Sequence, residues 1–241
     1  MPIPPPAPAT FRAVEVLKQD ALGRVERVVG ADGAVAVRRV ACGGRIPGSA
    51  FVARLLLARE RAALQRLAGL AQVPQLLAHG RGWLVRSWLD GVPLHRVGEL
   101  PSDFFQHLDA LLAAVHARGV AHNDLHKEPN VLVQPDGRPA LVDFQLASVH
   151  QAGGRRWQGR VREDVRHVQK HALRYQHRGQ RLPAAARSAR SWTSRLWAAL
   201  AKPVYNTITR RLLRRPDGEG RRPPAGPWPE WRAPLGPGGA P

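Results

Sequence analysis

Residues His122-Asn123-Asp124-Leu125-His126-Lys127-Glu128-Pro129-Asn130-Val131-Leu132-Val133, then Gln134-Pro135-Asp136-Gly137 and Pro139-Ala140-Leu141-Val142-Asp143-Phe144, decide how the chain is read. They spell a polar loop, a short apolar strand, a Pro-Asp-Gly turn, and a second apolar strand ending in Asp-Phe. Turn chemistry of this kind between two apolar runs predicts a hairpin. Asp124 and Asp143 then stand at opposite ends of the hairpin and can point into one cleft.

Paired carboxylates with a nearby amide suit phosphoryl transfer: one takes a hydroxyl proton, and the other helps hold Mg²⁺ on a nucleotide. The stretch resembles the catalytic loop and metal-binding segment of the protein-kinase-like superfamily. His122-Asn123-Asp124-Leu125 is similar to the family's His-Arg-Asp-Leu, and Val142-Asp143-Phe144 to its Asp-Phe-Gly strand. The 19-residue step from Asp124 to Asp143 is close to the family's spacing. Within the superfamily the form most resembles small bacterial kinases related to lipopolysaccharide-core (Kdo/heptose) kinases and RIO-type kinases. The likeness covers about residues 12–175. It implies an α+β fold, a reduced two-lobed protein-kinase-like fold with a small antiparallel-sheet lobe and a mainly helical lobe.

The resemblance assigns roles residue by residue. Asp124 becomes the catalytic base, and Asn130 and Asp143 the Mg²⁺ ligands. The usual loop places Asn five residues after Asp; here it is six, with Pro129 inserted. The loop must bulge, or Glu128 or His126 shares the metal role. Lys127 can steady the transferring phosphate or be a solvated lysine. Gln145 replaces the glycine of Asp-Phe-Gly, which predicts restricted flipping of Asp143. Asn123 stands where regulated protein kinases carry Arg, and no Ala-Pro-Glu follows Asp143. Activation by loop phosphorylation is therefore not expected. His122 is expected to pack and hydrogen-bond near the loop.

Upstream, residues 12–29 and 34–40 read as strands about a turn at Gly30–Gly33. Leu17 to Val25 can be laid over the kinase glycine loop, keeping Leu17, Gly23 and Val25 but lacking the first two glycines. An ordinary hairpin is the alternative. Val35-Ala36-Val37-Arg38 resembles the Val-Ala-Ile-Lys strand, and period-two alternation puts Ala36 and Arg38 on one face. The resemblance makes Gly23, Val25, Ala36 and Arg38 nucleotide-binding, with Arg39 and Lys18 as rivals for the phosphate-pairing base. Arg reaches and shapes a phosphate contact differently from Lys. Ser49–Leu70 reads as a helix with Leu56, Glu60, Ala63, Leu64 and Leu67 on one face. An unpaired carboxylate on such a stripe is costly. The resemblance pairs Glu60 with Arg38; a carboxylate at the rim of the stripe is the plainer reading.

Val73–Trp88 reads as a hairpin, and Leu89–Leu94 as the connection between lobes, with adenine expected near Ser87–Leu89. Ser102 or Asp103 caps a helix to Ala117 with Phe105, Leu108, Leu111, Leu112 and Val115 inward, ended at Arg118-Gly119. A second helix is predicted from Val161 to about Arg178. The domain reading is a Pro-rich tail (1–10), small lobe (11–88), large lobe (89–180), basic amphipathic helices (181–215) and a Gly/Pro-rich tail (216–241), both tails without fixed structure.

Composition bounds the partners. The chain carries 37 basic and 18 acidic residues, a net charge of +19. Only four of the basic residues are Lys, a bias in keeping with a GC-rich bacterial gene. An anionic partner is implied: a nucleotide, a membrane surface or nucleic acid. Nucleic acid is disfavoured, because no module with interleaved base-stacking aromatics accompanies the charge. Residues 181–241 hold 12 basic and 3 acidic residues, and the amphipathic stretch Ser191–Arg214 suits an anionic inner-membrane surface or packing on the large lobe. Cys42 stands alone, no signal-peptide pattern is seen, and no apolar run approaches 18 residues. These features predict a cytoplasmic enzyme, peripheral at the inner membrane. The expected reaction uses ATP and Mg²⁺ and phosphorylates a hydroxyl of a lipopolysaccharide-core sugar. A protein Ser/Thr acceptor is the runner-up. A binding module on a kinase frame, a pseudokinase, is the rival that the missing glycines, Arg38 and Gln145 support.

Overall fold

The computed structural model describes residues 11–20, 22–42, 48–150 and 154–176. The chain divides into two compact units at Ala172/Leu173. Of the second, the described part is the last turn of a helix. The predicted tails and the amphipathic 181–215 stretch lie outside the described residues.

The first unit opens with a five-stranded antiparallel sheet. Its strands are β1 (Phe11–Gln19), β2 (Gly23–Gly30), β3 (Val35–Ala41), β4 (Leu76–Gly80) and β5 (Trp83–Ser87), in the order β1-β2-β3-β5-β4. The first predicted strand is thus two strands, joined at Asp20–Gly23 where the glycine-loop likeness falls. One helix, α1 (Ser49–Arg66), crosses between β3 and β4 and buries Ala53, Leu57, Glu60, Ala63 and Leu64. Leu57, rather than the expected Leu56, completes the stripe.

The remainder is built around α2 (Phe104–Ala117), which buries Phe104, Leu108, Leu111, Leu112 and Val115. Phe104 takes the inward place expected of Phe105. Asp103 precedes this helix but makes no side-chain cap; it contacts His107 Nδ1 at 3.5 Å instead. Short strands hold the polar loop: β6 (Val92–Pro93), β7 (Val120–Ala121), β8 (Val131–Val133), β9 (Pro139–Leu141) and β10 (Ser148–Val149). The expected hairpin is β8–β9, with Leu132 opposite Ala140; β6 pairs with β8, and β10 with β7. Gly119 adopts φ 72°, and a Cβ there would meet the His150 carbonyl oxygen at 2.5 Å. Only glycine fits that turn into β7. α3 (Arg155–Gln176) starts six residues before the predicted position.

Candidate active site

Strand β3 shows which face of the sheet meets α1. Arg39 Nη1 donates to Glu60 Oε2 at 3.0 Å, and Arg86 Nε lies 3.2 Å from Glu60 Oε1. Glu60 is 1% exposed, so the helix stripe carries a carboxylate only because two guanidiniums meet it. The expected Arg38–Glu60 pair does not form. Arg38 Nε donates to Glu26 Oε2 at 2.6 Å, with Arg24 on the other oxygen at 2.6 Å. The alternation was read correctly, but the face was not. Ala36 and Arg38 share the face opposite α1, where Ala36 packs with Val28, Ala78 and Val85. A cavity of about 180 Å³ lined by Phe11, Arg24, Arg38, Val40, Trp83 and Val85 lies on that opposite face. Val25 is the cross-strand partner of Arg39 and shares its face. Lys18, the other rival, is largely exposed and lies 4.0 Å from Asp20.

The β1–β2 hairpin has its own use for Gly23. A Cβ there would come within 2.2 Å of the Val40 carbonyl oxygen, so glycine permits the close approach of β2 to β3. At the same turn the Asp20 carboxylate accepts from the amides of Leu22 (2.8 Å) and Gly23 (3.1 Å). Amides that a glycine loop would offer to phosphate are held by the chain's own carboxylate.

Asp124 is fully buried. Its Oδ2 accepts from Asn130 Nδ2 at 3.0 Å and lies 3.2 Å from Lys127 Nζ; its Oδ1 lies 3.1 Å from His126 Nδ1. The His126 approach is a close polar contact without hydrogen-bond alignment, leaving Oδ1 unsatisfied. Burial pushes the carboxyl up, but His126 and the Lys127 cation outweigh it and hold it below the usual carboxylate range. Asp124 is therefore ionised at neutral pH. The extra loop residue is absorbed by a 3₁₀ turn over Glu128–Asn130 with Pro129 inside it. Asn130 still reaches back, and its Nδ2 also donates to the Asp124 backbone carbonyl at 3.0 Å. With its nitrogen so engaged, Asn130 keeps its side-chain oxygen as an acceptor.

Asp143 sits in the left-handed region, φ 65°, an uncommon state for a non-glycine residue. Its carboxylate is tied to the sheet lobe: Oδ1 lies 3.8 Å from Arg39 Nη1, and Oδ2 accepts from Gln145 Nε2 at 3.2 Å. Gln145 in turn accepts from Arg39 Nη2. Gln145, which stands where the resemblance places a glycine, bridges Arg39 and Asp143 through its amide.

Two further residues fix the loop. His122 shares a 2.9 Å hydrogen bond through Nε2 with the Val142 carbonyl and packs on Phe144, 4.6 Å between ring centres. Asn123, at φ 63°, donates from Nδ2 to Leu146 O (2.9 Å) and Ser148 Oγ (3.0 Å). The Asp124 and Asp143 segments are thereby cross-linked. Asp164 on α3 was not singled out from the sequence. It is fully buried and accepts from the backbone amides of His122 (2.8 Å) and Asn123 (2.9 Å), with His116 Nε2 at 3.2 Å. A signal existed: Asp164 lies among Val161, Val165 and Val168 at helical spacing, a carboxylate on an apolar stripe as at Glu60.

The donor set can be tested against Mg²⁺, which takes hard oxygen ligands and usually binds through one or two carboxylates plus substrate phosphates. Among the described residues no group of three or more His, Cys, Asp and Glu could hold a metal. The partly exposed Asp143 carboxylate and the Asn130 amide oxygen fit the sparser set that phosphates would complete.

No protein-family profile matches the chain. A curated Streptomyces coelicolor protein, "Probable SapB synthase", is 37% identical over 122 residues, covering 40% of this chain and 13% of that protein. The chain thus corresponds to a small part of that relative. Among solved structures, the Rio2 kinase of Chaetomium thermophilum is similar in two crystal structures: as an ADP/Mg²⁺-phosphoaspartate complex, TM-score 0.55, covering 84% of this chain and 73% of that one, and as the kinase itself, TM-score 0.54, covering 84% and 74%. Identity is 18% in both, so the likeness is one of fold. With its five-stranded antiparallel sheet, single crossing helix and cross-linked Asp124 and Asp143 segments, the chain has a protein-kinase-like fold.

Proposed function

We propose that the chain is an ATP-dependent phosphotransferase that moves the γ-phosphate to a hydroxyl. The observation that carries this reading is the linkage Glu60–Arg39–Asp143, which ties the sheet lobe to a carboxylate whose segment is cross-linked to that of the buried Asp124. Asp124 takes the proton of the attacking hydroxyl. Asn130 and Asp143 would hold Mg²⁺, whose charge, when bound, offsets that of the phosphates. Arg39, the residue on the cleft face, takes the phosphate-pairing place first expected of Arg38. Lys127, beside Asp124, steadies the transferring group. Val25 lies over the nucleotide. Positioning and fixed charge are what phosphoryl transfer asks of a protein.

For the acceptor we favour a lipopolysaccharide-core sugar at an anionic inner-membrane face, on the motif likeness and the basic stretch 181–215. A protein Ser/Thr acceptor is the second reading. Transfer of labelled γ-phosphate from Mg-ATP into a cell-envelope fraction, wild type beside Asp124→Ala, tests the proposal. Label lost in the variant supports a kinase, and its partition between lipopolysaccharide and protein names the acceptor class. Equal or absent label in both would favour a binding module on a kinase frame.

A further inference from the structure

Glu60 meets two cations where one would balance its charge. They come from neighbouring strands. Arg86 on β5 stands opposite Val37 on β3, and Arg39 lies two residues on from Val37. Period-two alternation therefore sets both arginines on the face that meets α1. Their two contacts are unequal. Arg39 Nη1 donates to Glu60 Oε2 at 3.0 Å. Arg86 Nε lies 3.2 Å from Oε1, yet it is buried and forms no hydrogen bond. A buried donor left unpaired is costly, and few are found in folded proteins.

A lone guanidinium on a buried carboxylate is pinned there, because its departure would strand the charge. Arg39 is not alone. Two further groups draw on it: Gln145, which accepts from Nη2, and Asp143, at 3.8 Å. Resting on the kinase reading above, we propose that Arg86 is a positioning residue, which takes over Glu60 when Arg39 turns to the nucleotide phosphates. Without nucleotide, Arg39 holds Oε2 and Arg86 rests against Oε1 with a donor in reserve. With nucleotide, Arg39 Nη1 exchanges Glu60 for a phosphate oxygen, and Arg86 completes its hydrogen bond to the carboxylate. Both guanidiniums stay charged throughout, so no proton moves in the exchange. The surplus cation at Glu60 and the unpaired Nε of Arg86 thus have one cause.

The test is Mg-ATP binding by calorimetry, with thermal unfolding of each variant as the check on folding. Arg86→Gln should weaken binding by about tenfold or more, because freeing Arg39 then leaves a buried carboxylate without a cation. Glu60→Gln removes the charge that detains Arg39 and should bind Mg-ATP at least as tightly as the wild type. Adding Arg86→Gln to Glu60→Gln should then change affinity by less than about threefold, in contrast to its effect alone. A Glu60 that serves only to orient Arg39 gives the opposite sign, weaker binding by Glu60→Gln. That result, an unchanged affinity in Arg86→Gln, or a double variant as weak as Arg86→Gln, overturns the inference and leaves the kinase reading standing. If Arg86→Gln does not fold, the sign of the Glu60→Gln effect decides. Absence of Mg-ATP binding by the wild type overturns both.

Discussion

Arg39, and not its neighbour Arg38, is the cation that Glu60 holds, at 3.0 Å, and its guanidinium also reaches toward Asp143 at 3.8 Å. The two adjacent arginines should therefore differ most in their effect on transfer. Arg39→Ala should lower transfer by about 100-fold, the scale of losing one preorganised charge at a reacting centre. It should also destabilise by about 3 kcal/mol, since the buried Glu60 keeps only Arg86. Arg38→Ala should cost about 1–2 kcal/mol, because Arg24 still meets Glu26, and should leave the rate within a few-fold. Urea midpoints and steady-state kinetics on both variants decide the assignment.

Asp164 should behave as a structural anchor. Asp164→Ala strands the buried amides of His122 and Asn123 and should cost about 3–5 kcal/mol. Asp164→Asn keeps one acceptor and should cost less than half of that. Thermal unfolding of the two variants checks the order, and ATP should restore part of the lost midpoint in the Asn variant.

Removing the Gln145 bridge should loosen Asp143 without unfolding the protein. Gln145→Ala deletes the amide that joins Arg39 to Asp143. One hydrogen bond is worth about 1 kcal/mol, or about fivefold in an equilibrium. Mg²⁺-dependent ATP binding by calorimetry should weaken by that factor, and ATP binding without Mg²⁺ should change less.

His167 sets an acid limb on stability. Its folded value, about 4, lies below the ordinary 6.5 because burial and then Arg166 disfavour the cation. Between those values the unfolded chain binds the extra proton, so stability falls as pH drops from about 6.5 toward 4. The full span is worth about 3 kcal/mol. Urea midpoints at pH 7, 6 and 5 should fall in the wild type, and His167→Gln should flatten this part of the decline.

Local sequence carried the polar loop and the hairpin. Their residue types and spacings are contiguous, and turn chemistry alone fixes β8–β9. The extra loop residue was legible as a problem, and its solution, the Glu128–Asn130 turn, was not. Strand β3 was misassigned by face because Val35-Ala36-Val37-Arg38-Arg39 places Arg on both faces, so alternation gives parity without orientation. Only the packing of α1 chooses between them. Asp164 escaped notice because its partners are backbone amides about 40 residues away, invisible to spacing. The Gln145 bridge likewise depends on an arginine 106 residues upstream. In each case the residue type was readable and the partner was not, since the partner is supplied by tertiary contact.

The central claim is that Asp124 acts on a bound nucleotide as a base and does not merely support the cleft. The most direct measurement compares wild type and Asp124→Asn for both Mg-ATP binding by calorimetry and transfer of labelled γ-phosphate. The Asn variant keeps an acceptor for Asn130 but loses the charge. The account predicts ATP affinity within about threefold and transfer reduced by about 10²–10⁴-fold, the range for a positioned general base. Unchanged transfer in the Asn variant, or no Mg-ATP binding by the wild type, would contradict it.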